Sequence, residues 1–470
     1  MGTPDSPLFH PNRPKAETNI ILFVTAEEAW KAIHDEVVRA TRKDDFIVIA
    51  GWHLFVRMPL LVGKGYATSL AYLLSQQREI TTRALLDEDP QPGSKRTRDN
   101  REAVDFLWRL PNGSGLLDLQ TLTFGTFHQK AVVIQNDTGL HAFVTGIDIH
   151  PDRTHWRDAS LHCSGGAAFS VLETLEARWK SNTVAMPWPA DKKSFPVAGT
   201  ASSSRKANAT VQVVRTYGNP KRHGGGAGSR TYAPDGEFTM YETLIGAIDG
   251  AREFVYCEDQ YFYATTMANL PDRNGNQPPD YRDPIDVIAR RLEAVPRLQL
   301  IVVMSRTEDI NAEVQQAWTH RKRIVDKLNQ TVGPKVSILQ PRKRKNTNGD
   351  EYVPYIHTKA WVIDDSFAIL GSANCNRRGY SHDGELDVAY TGGEDTQSSP
   401  QQLRVKLWLK HLNTDSGQPP VKEDEIRDWR TGLAILKRSG SMLEPYDPNA
   451  GKDDKPQEWK WDRLYDPDGS

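Results

Sequence analysis

An α/β fold of two similar lobes, each with a mixed β-sheet flanked by helices, is what this sequence predicts. Three observations predict it. Helix-period and strand-like segments alternate along the chain. A segment of the first half, "FHQKAVVIQNDTGLHAFVTGIDI" (residues 127–149), recurs as "YIHTKAWVIDDSFAILGSANCNRRG" (355–379). A stretch without periodicity, rich in Ser, Ala, Lys and Pro, runs from 189 to 210 between the two copies. The predicted organisation is an N-terminal lobe over 1–188, a linker over 189–210, and a C-terminal lobe over 211–470 that ends in a polar tail carrying Trp459 and Trp461.

In chain order, "AEEAWKAIHDEVVRA" (26–40) has helical spacing and "FIVIAGW" (46–52) reads as an apolar strand, followed by the strand-like "TRALL" (82–86). The first repeat copy begins with His128 and Lys130, runs through "AVVI", and ends in Thr145-Gly146-Ile147-Asp148. After it, Ala168, Val171, Leu172, Leu175 and Trp179 recur at three and four residues, which marks one face of a helix. The second half repeats the order: helix-like 240–252, strands 254–263 and 298–304, then His357, Lys359, "AWVI" and Gly371-Ser372-Ala373-Asn374, then a helix-like 402–412. The first copy differs by a longer hairpin turn.

Composition narrows the function. The chain has 470 residues, 38% hydrophobic and 26% charged, with 59 Lys and Arg against 61 Asp and Glu. That balance gives no overall field to draw in nucleic acid, so none is expected as a partner. No run reaches the ~18–20 apolar residues of a membrane span, and the N-terminus lacks the apolar core of a secretory signal. Cytoplasmic synthesis is the expectation, with export by a route that needs no signal, even injection into a competitor, left open. Three cysteines without C-x-x-C spacing predict reduced buried thiols, with neither a disulfide framework nor a zinc site.

Residues i and i+2 of a strand share a face, so each histidine is expected to look the same way as its lysine, into one cleft between the lobes. Such a set suits phosphoester transfer through a covalent intermediate. One imidazole attacks phosphorus and the other protonates the departing oxygen, then activates water. Lys130 and Lys359 hold the non-bridging oxygens, Asn374 adds a neutral donor, and no metal or other cofactor is needed. Each imidazole also needs a carboxylate to fix its tautomer. Asp158, downstream of His128, and Glu385, downstream of His357, are the candidates, with Asp387 the rival to Glu385. Trp52 and the group Gln260, Tyr261 and Tyr263 end apolar strands, where α/β folds place ligand-facing residues. Their aromatic faces suit a choline-type ammonium.

These residues resemble the signature of the phospholipase D superfamily, H-x-K-x-x-x-x-D followed by G-S-x-N. His357, Lys359, Asp364, Gly371, Ser372 and Asn374 match it in full. "CEDQYF", "WRD", "ARW" and "LW-x-x-HL" look most like the true phospholipases of that superfamily, the eukaryotic type included. The resemblance implies a pseudo-twofold α/β fold and hydrolysis of the distal phosphodiester of glycerophospholipids, of the phosphatidylcholine or phosphatidylethanolamine class, at a membrane surface. It also implies transfer to other alcohols, a phosphohistidine on His128 with His357 as the acid, Ser372 among the substrate-facing residues, and a monomer holding both motifs. The alternatives are a superfamily endonuclease, a cardiolipin-synthase-like transferase, and a silent lipid-binding scaffold.

The first copy departs twice. Gln135 stands where the motif has aspartate, with Asp137 in the turn as a substitute brace. Asp148 stands where the second copy has Asn374. A carboxylate repels phosphate, so Asp148 is expected to address Lys130 or a head-group cation.

Overall fold

The computed structural model describes residues 8–447 apart from 89–93, 123–124, 200–205, 224–225, 264–281, 307–314, 346–348, 350, 393–398, 413–419 and 439–440. The polar tail with Trp459 and Trp461 lies outside the described residues. Two mixed sheets flanked by helices carry the fold. The first has seven strands in the order Ile20–Phe23, Ser160–Ser164, Gly139–Thr145, Ala131–Asn136, Phe46–Gly51, Thr81–Asp87, Gly113–Asp118. The second has nine: Lys15–Thr18, Ala209–Thr216, Glu385–Gly392, Phe367–Gly371, Lys359–Ile363, Phe254–Asp259, Gln299–Met304, Val336–Pro341, Leu443–Pro445.

Without its two outermost strands, the second sheet repeats the order of the first. In each, three strands run parallel, and the hairpin after the histidine joins them through its first strand, which is antiparallel to them. The duplication read in the sequence is therefore a duplication of topology. The boundaries differ from the expected ones. Lys15–Thr18 pairs antiparallel with Ala209–Thr216, so residues within 1–188 close the edge of the second sheet. The expected linker is structured at both ends. Lys192 Nζ donates to the carbonyls of Leu110, Pro111 and Gly113 at 2.8–3.2 Å, and a strand starts at Ala209.

Alternate strand residues feed different cores. Phe46, Val48 and Ala50 join a central cluster, whereas Ile47 and Ile49 face an outer one. The central cluster continues into the second sheet through Val213, Tyr256, Val362 and Val388. Two helices fill it, Gly165–Thr183 through Val171, Leu172, Leu175 and Trp179, and Pro400–Leu412 through Leu403 and Trp408. The two lobes thus share one interior. All three cysteines are buried free thiols. No helix among the described residues is long and apolar enough to cross a membrane.

Candidate active site

The histidines do not lie on their strands. Lys359 opens the strand Lys359–Ile363, and the strand after Lys130 begins at Ala131, so each imidazole sits in the extended approach to its strand. Those approaches pair with the other lobe. Phe127 bridges Gly384 in parallel, with His128 N–H donating to Gly384 O at 2.9 Å and Gly384 N–H to Thr126 O at 2.9 Å. Arg157 bridges Ile356 in the same way, with His357 N–H donating to Arg157 O at 2.7 Å and Arg157 N–H to Tyr355 O at 2.8 Å. The residue after each bridging partner is a carboxylate. Glu385 follows Gly384 and Asp158 follows Arg157.

This seam corrects the expected pairing. His128 Nδ1 lies 3.0 Å from both oxygens of Glu385, and His357 Nδ1 lies 2.6 Å from Asp158 Oδ2. Each imidazole is oriented by the opposite lobe, because the bridge that places the histidine also places the carboxylate. Gly146 leaves room for it: a Cβ there would strike Asp158 Oδ1. Gly371 likewise admits Asp387, the rival carboxylate, whose Oδ1 accepts from Ala373 N–H at 3.1 Å. The small-residue clusters of the repeat therefore exist to let carboxylates in.

With Nδ1 protonated and turned to its carboxylate, Nε2 of each ring keeps a lone pair and makes no hydrogen bond to a described residue. Burial, then the ammonium groups of Lys130 and Lys359, hold His128 well below its ordinary value. Burial, then Lys359 and Arg153, do the same to His357. Burial pushes Asp158 up to about 7 against the pull of Lys359, and drives Glu385 well above the carboxylate range with help from Asp383 and Asp387. Burial draws Lys359 down to about 8 against the pull of Asp158, and it also lowers Lys130. Both ammonium groups are anchored by the carbonyl two residues back, Lys130 on His128 O at 2.9 Å and Lys359 on His357 O.

Other expected residues take different posts. Asn374 is 6% exposed, and its Oδ1 is buried without a hydrogen-bond partner among the described residues. Gln260 accepts from Lys359 Nζ at 3.2 Å and donates to Tyr355 Oη at 2.6 Å, so it positions the lysine. Tyr261 is half-buried and its ring lies 5.1 Å from that of Tyr263. Ser372, expected to face substrate, is fully buried and donates to Glu385 Oε2 at 2.5 Å, because Leu386 N–H occupies its lone pair at 3.0 Å. Asp148 addresses Lys130, one of the two partners expected for it. Its Oδ1 accepts from Trp52 N–H at 2.9 Å and His53 N–H at 3.0 Å, and its Oδ2 lies 3.8 Å from Lys130 Nζ. Trp52 stands edge-on to His128 at 6.2 Å, with the Arg96 guanidinium 4.1 Å over its ring.

Sequence reading missed three groups beside the site. Arg153 and Trp156 flank His357, with the Trp156 ring 4.6 Å from the imidazole. Glu258, beneath Thr358, is held by His411 at 3.0 Å and Tyr256 at 2.5 Å. Arg178 and Asp118 form a buried ion pair. "CED", "ARW" and "HL" had pointed at Glu258, Arg178 and His411 without saying what they hold. One group among the described residues, His53, Asp99 and His150, has metal-ligand spacing. As it stands, His53 Nε2 lies 2.8 Å from Asp99 Oδ2 and His150 Nδ1 accepts from Asp152 N–H at 3.2 Å, while His150 Nε2 makes no hydrogen bond to a described residue.

A family model described as "Cardiolipin synthase, PLD-like domain" matches residues 297–405. Phospholipase D alpha 3 of Arabidopsis thaliana is 23% identical over 85% of this chain and 65% of its own length. Phospholipase D alpha 1 of Vigna unguiculata is 22% identical over 85% of this chain and 66% of its own. The chain thus spans just under two thirds of these relatives. The crystal structure of phosphatidylserine synthase from Haemophilus influenzae Rd KW20 shares the fold, with a TM-score of 0.53 at 11% identity, covering 90% of this chain and 97% of that one. These sequence matches, with the duplicated mixed α/β lobes, support placing the chain in the phospholipase D superfamily.

Proposed function

We propose that the protein is a phospholipase D, a phosphodiesterase that cleaves the distal phosphodiester of glycerophospholipids to phosphatidate and a free head-group alcohol. One observation carries the reading. Two imidazoles from opposite lobes, each tethered through Nδ1 to a buried carboxylate, share one set of two buried ammonium groups.

In the proposed reaction Lys130, Lys359 and Asn374 bind the non-bridging oxygens. His128 Nε2 attacks phosphorus, forming a P–N bond as the bond to the head-group oxygen breaks. His357 gives its Nε2 proton to that oxygen. The incoming phosphodiester anion favours this protonated His357, offsetting the burial and the cations that hold it neutral when the site is empty. His357 then takes a proton from water, whose oxygen displaces His128 from phosphorus. Carboxylates pinned across the seam keep both rings aligned through the two steps.

The name of the matching family model supports a second reading, in which an alcohol replaces water in the second step. The chemistry up to the phosphohistidine is the same.

The test is head-group release from phospholipid vesicles beside nicking of plasmid DNA. Release that survives EDTA and falls by at least about 100-fold in both His128→Ala and His357→Ala is the expected result. Nicking without lipid turnover would replace the reading with a nuclease. Near wild-type release by either variant would remove these histidines from the chemistry.

A further inference from the structure

Arg153 is a cation without a counterpart. It sits on the short turn that follows the first hairpin and is half-buried. Yet its guanidinium makes no hydrogen bond or ion pair with any described residue. Asp148, Asp152 and Asp158 pull on it from a distance, and none lies within ion-pair reach. A half-buried guanidinium without a protein acceptor keeps its fork of donors open to an anionic ligand. Two other arginines near the site, by contrast, are paired. Arg178 has Asp118, and Arg378 has Asp383 at 2.8 Å.

Its placement says which part of a substrate it meets. Arg153 lies 3.8 Å over the Trp156 ring, and that ring is 4.6 Å from His357. It lies farther, 5.9 Å, from the Trp52 ring beside His128, and it is one of the leading charges acting on His357. His357 is the imidazole that protonates the leaving alcohol, so Arg153 stands on the head-group side. The same stacking removes the sites a choline would use. A quaternary ammonium needs an open aromatic face, but Arg153 covers Trp156 at 3.8 Å and Arg96 covers Trp52 at 4.1 Å.

We infer that Arg153 reads the head group, and that the preferred substrate is a phosphodiester whose leaving alcohol carries its own anionic group, a carboxylate or a second phosphate. This rests on the phospholipase reading above and replaces the choline and ethanolamine class expected from the resemblance. Guanidinium and carboxylate or phosphate match as two parallel hydrogen bonds. An ammonium head group would meet like charge.

The experiment uses dihexanoyl lipids as dispersed monomers, so that vesicle surface charge plays no part. Phosphatidylserine, phosphatidylglycerophosphate and phosphatidylcholine are compared by kcat/KM for the wild type, Arg153→Leu and Arg153→Lys, with melting curves recorded alongside. The wild type should favour at least one anionic head group over choline by about tenfold or more, about 1.4 kcal/mol. Whichever of the serine and glycerophosphate lipids shows the larger ratio identifies carboxylate or phosphate. Arg153→Leu should bring that ratio to about one, and Arg153→Lys should keep part of it, since the charge stays and the fork is lost. A choline preference in the wild type overturns the inference whatever the variants do. Equal losses on all three lipids in Arg153→Leu would assign the residue to the scissile phosphate and overturn it as well. Turnover of all three without preference sinks this inference alone, whereas turnover of none removes the phospholipase reading beneath it.

Discussion

Residue by residue, the two copies solve the same local problems with different side chains. In the second lobe the motif aspartate, Asp364, takes φ 52° in the hairpin turn, and its carboxylate accepts from the N–H groups of Arg252, Glu253 and Phe254 at 2.7–2.8 Å. It braces the loop that leads into the central strand and touches no phosphate. In the first lobe Gln135 holds nothing comparable, and Asp137, its expected substitute, is exposed. The equivalent loop caps itself instead. Asp45 accepts from Thr41 N–H at 2.9 Å and Arg42 N–H at 2.8 Å, while Asn136 ties the turn to Glu36. Asp364→Ala should therefore cost about 2–3 kcal/mol of stability, because three N–H groups lose a charged acceptor. Gln135→Ala should stay within about 1 kcal/mol, and Gln135→Asp should alter turnover by less than about tenfold. Urea unfolding and turnover assays on the three variants measure this. A large gain from Gln135→Asp would mean that the first motif is impaired as it stands.

Among the elements, strands and helices were the legible part of the sequence, and the crossings between lobes were not. Apolar runs such as "FIVIAG" and the spaced face from Ala168 to Trp179 name their own burial, and the structure buries them. The histidines, lysines and carboxylates were legible as a set because the repeat printed them twice. Their partnership was not, since spacing along the chain suggests that Asp158 serves His128. The bridges at Phe127–Gly384 and Arg157–Ile356 send each carboxylate across. Ser372 was misread for a related reason, whereas Asp148 reaches Lys130, one of its two expected partners, and also holds a turn. Polar residues in a motif look like ligand contacts, but here they hold Glu385 and the turn at Trp52. The crossing has a kinetic signature. With His128 as nucleophile, Asp158→Asn weakens His357, the group that activates water. Phosphoenzyme should then accumulate on a phosphodiester with a good leaving group, detectable by intact-protein mass spectrometry. Glu385→Gln weakens the nucleophile and should slow phosphoenzyme formation by at least about 100-fold without accumulation. Accumulation in Glu385→Gln instead would exchange the roles of the two histidines.

At the scale of the whole molecule, neither lobe is complete alone. Each lacks the carboxylate for its own imidazole, the N-terminal half of the chain lends Lys15–Thr18 to the second lobe's edge, and one apolar cluster runs through both. Separate domains joined by a tether would show none of these three features. The bonds across the seam depend on the lobes being docked rather than on the covalent link at 200–205. Residues 1–199 and 206–470, produced together, should therefore associate one to one and keep lipid turnover. Each fragment produced alone should expose its share of the central cluster, aggregate, and give no turnover. Size-exclusion chromatography of the co-produced pair, followed by the head-group assay on the eluted complex, decides it. Soluble, well-folded fragments that ignore one another would show that the shared interior contributes little, because burying that much apolar surface at ~25 cal/mol per Å² should hold the halves together without a peptide bond.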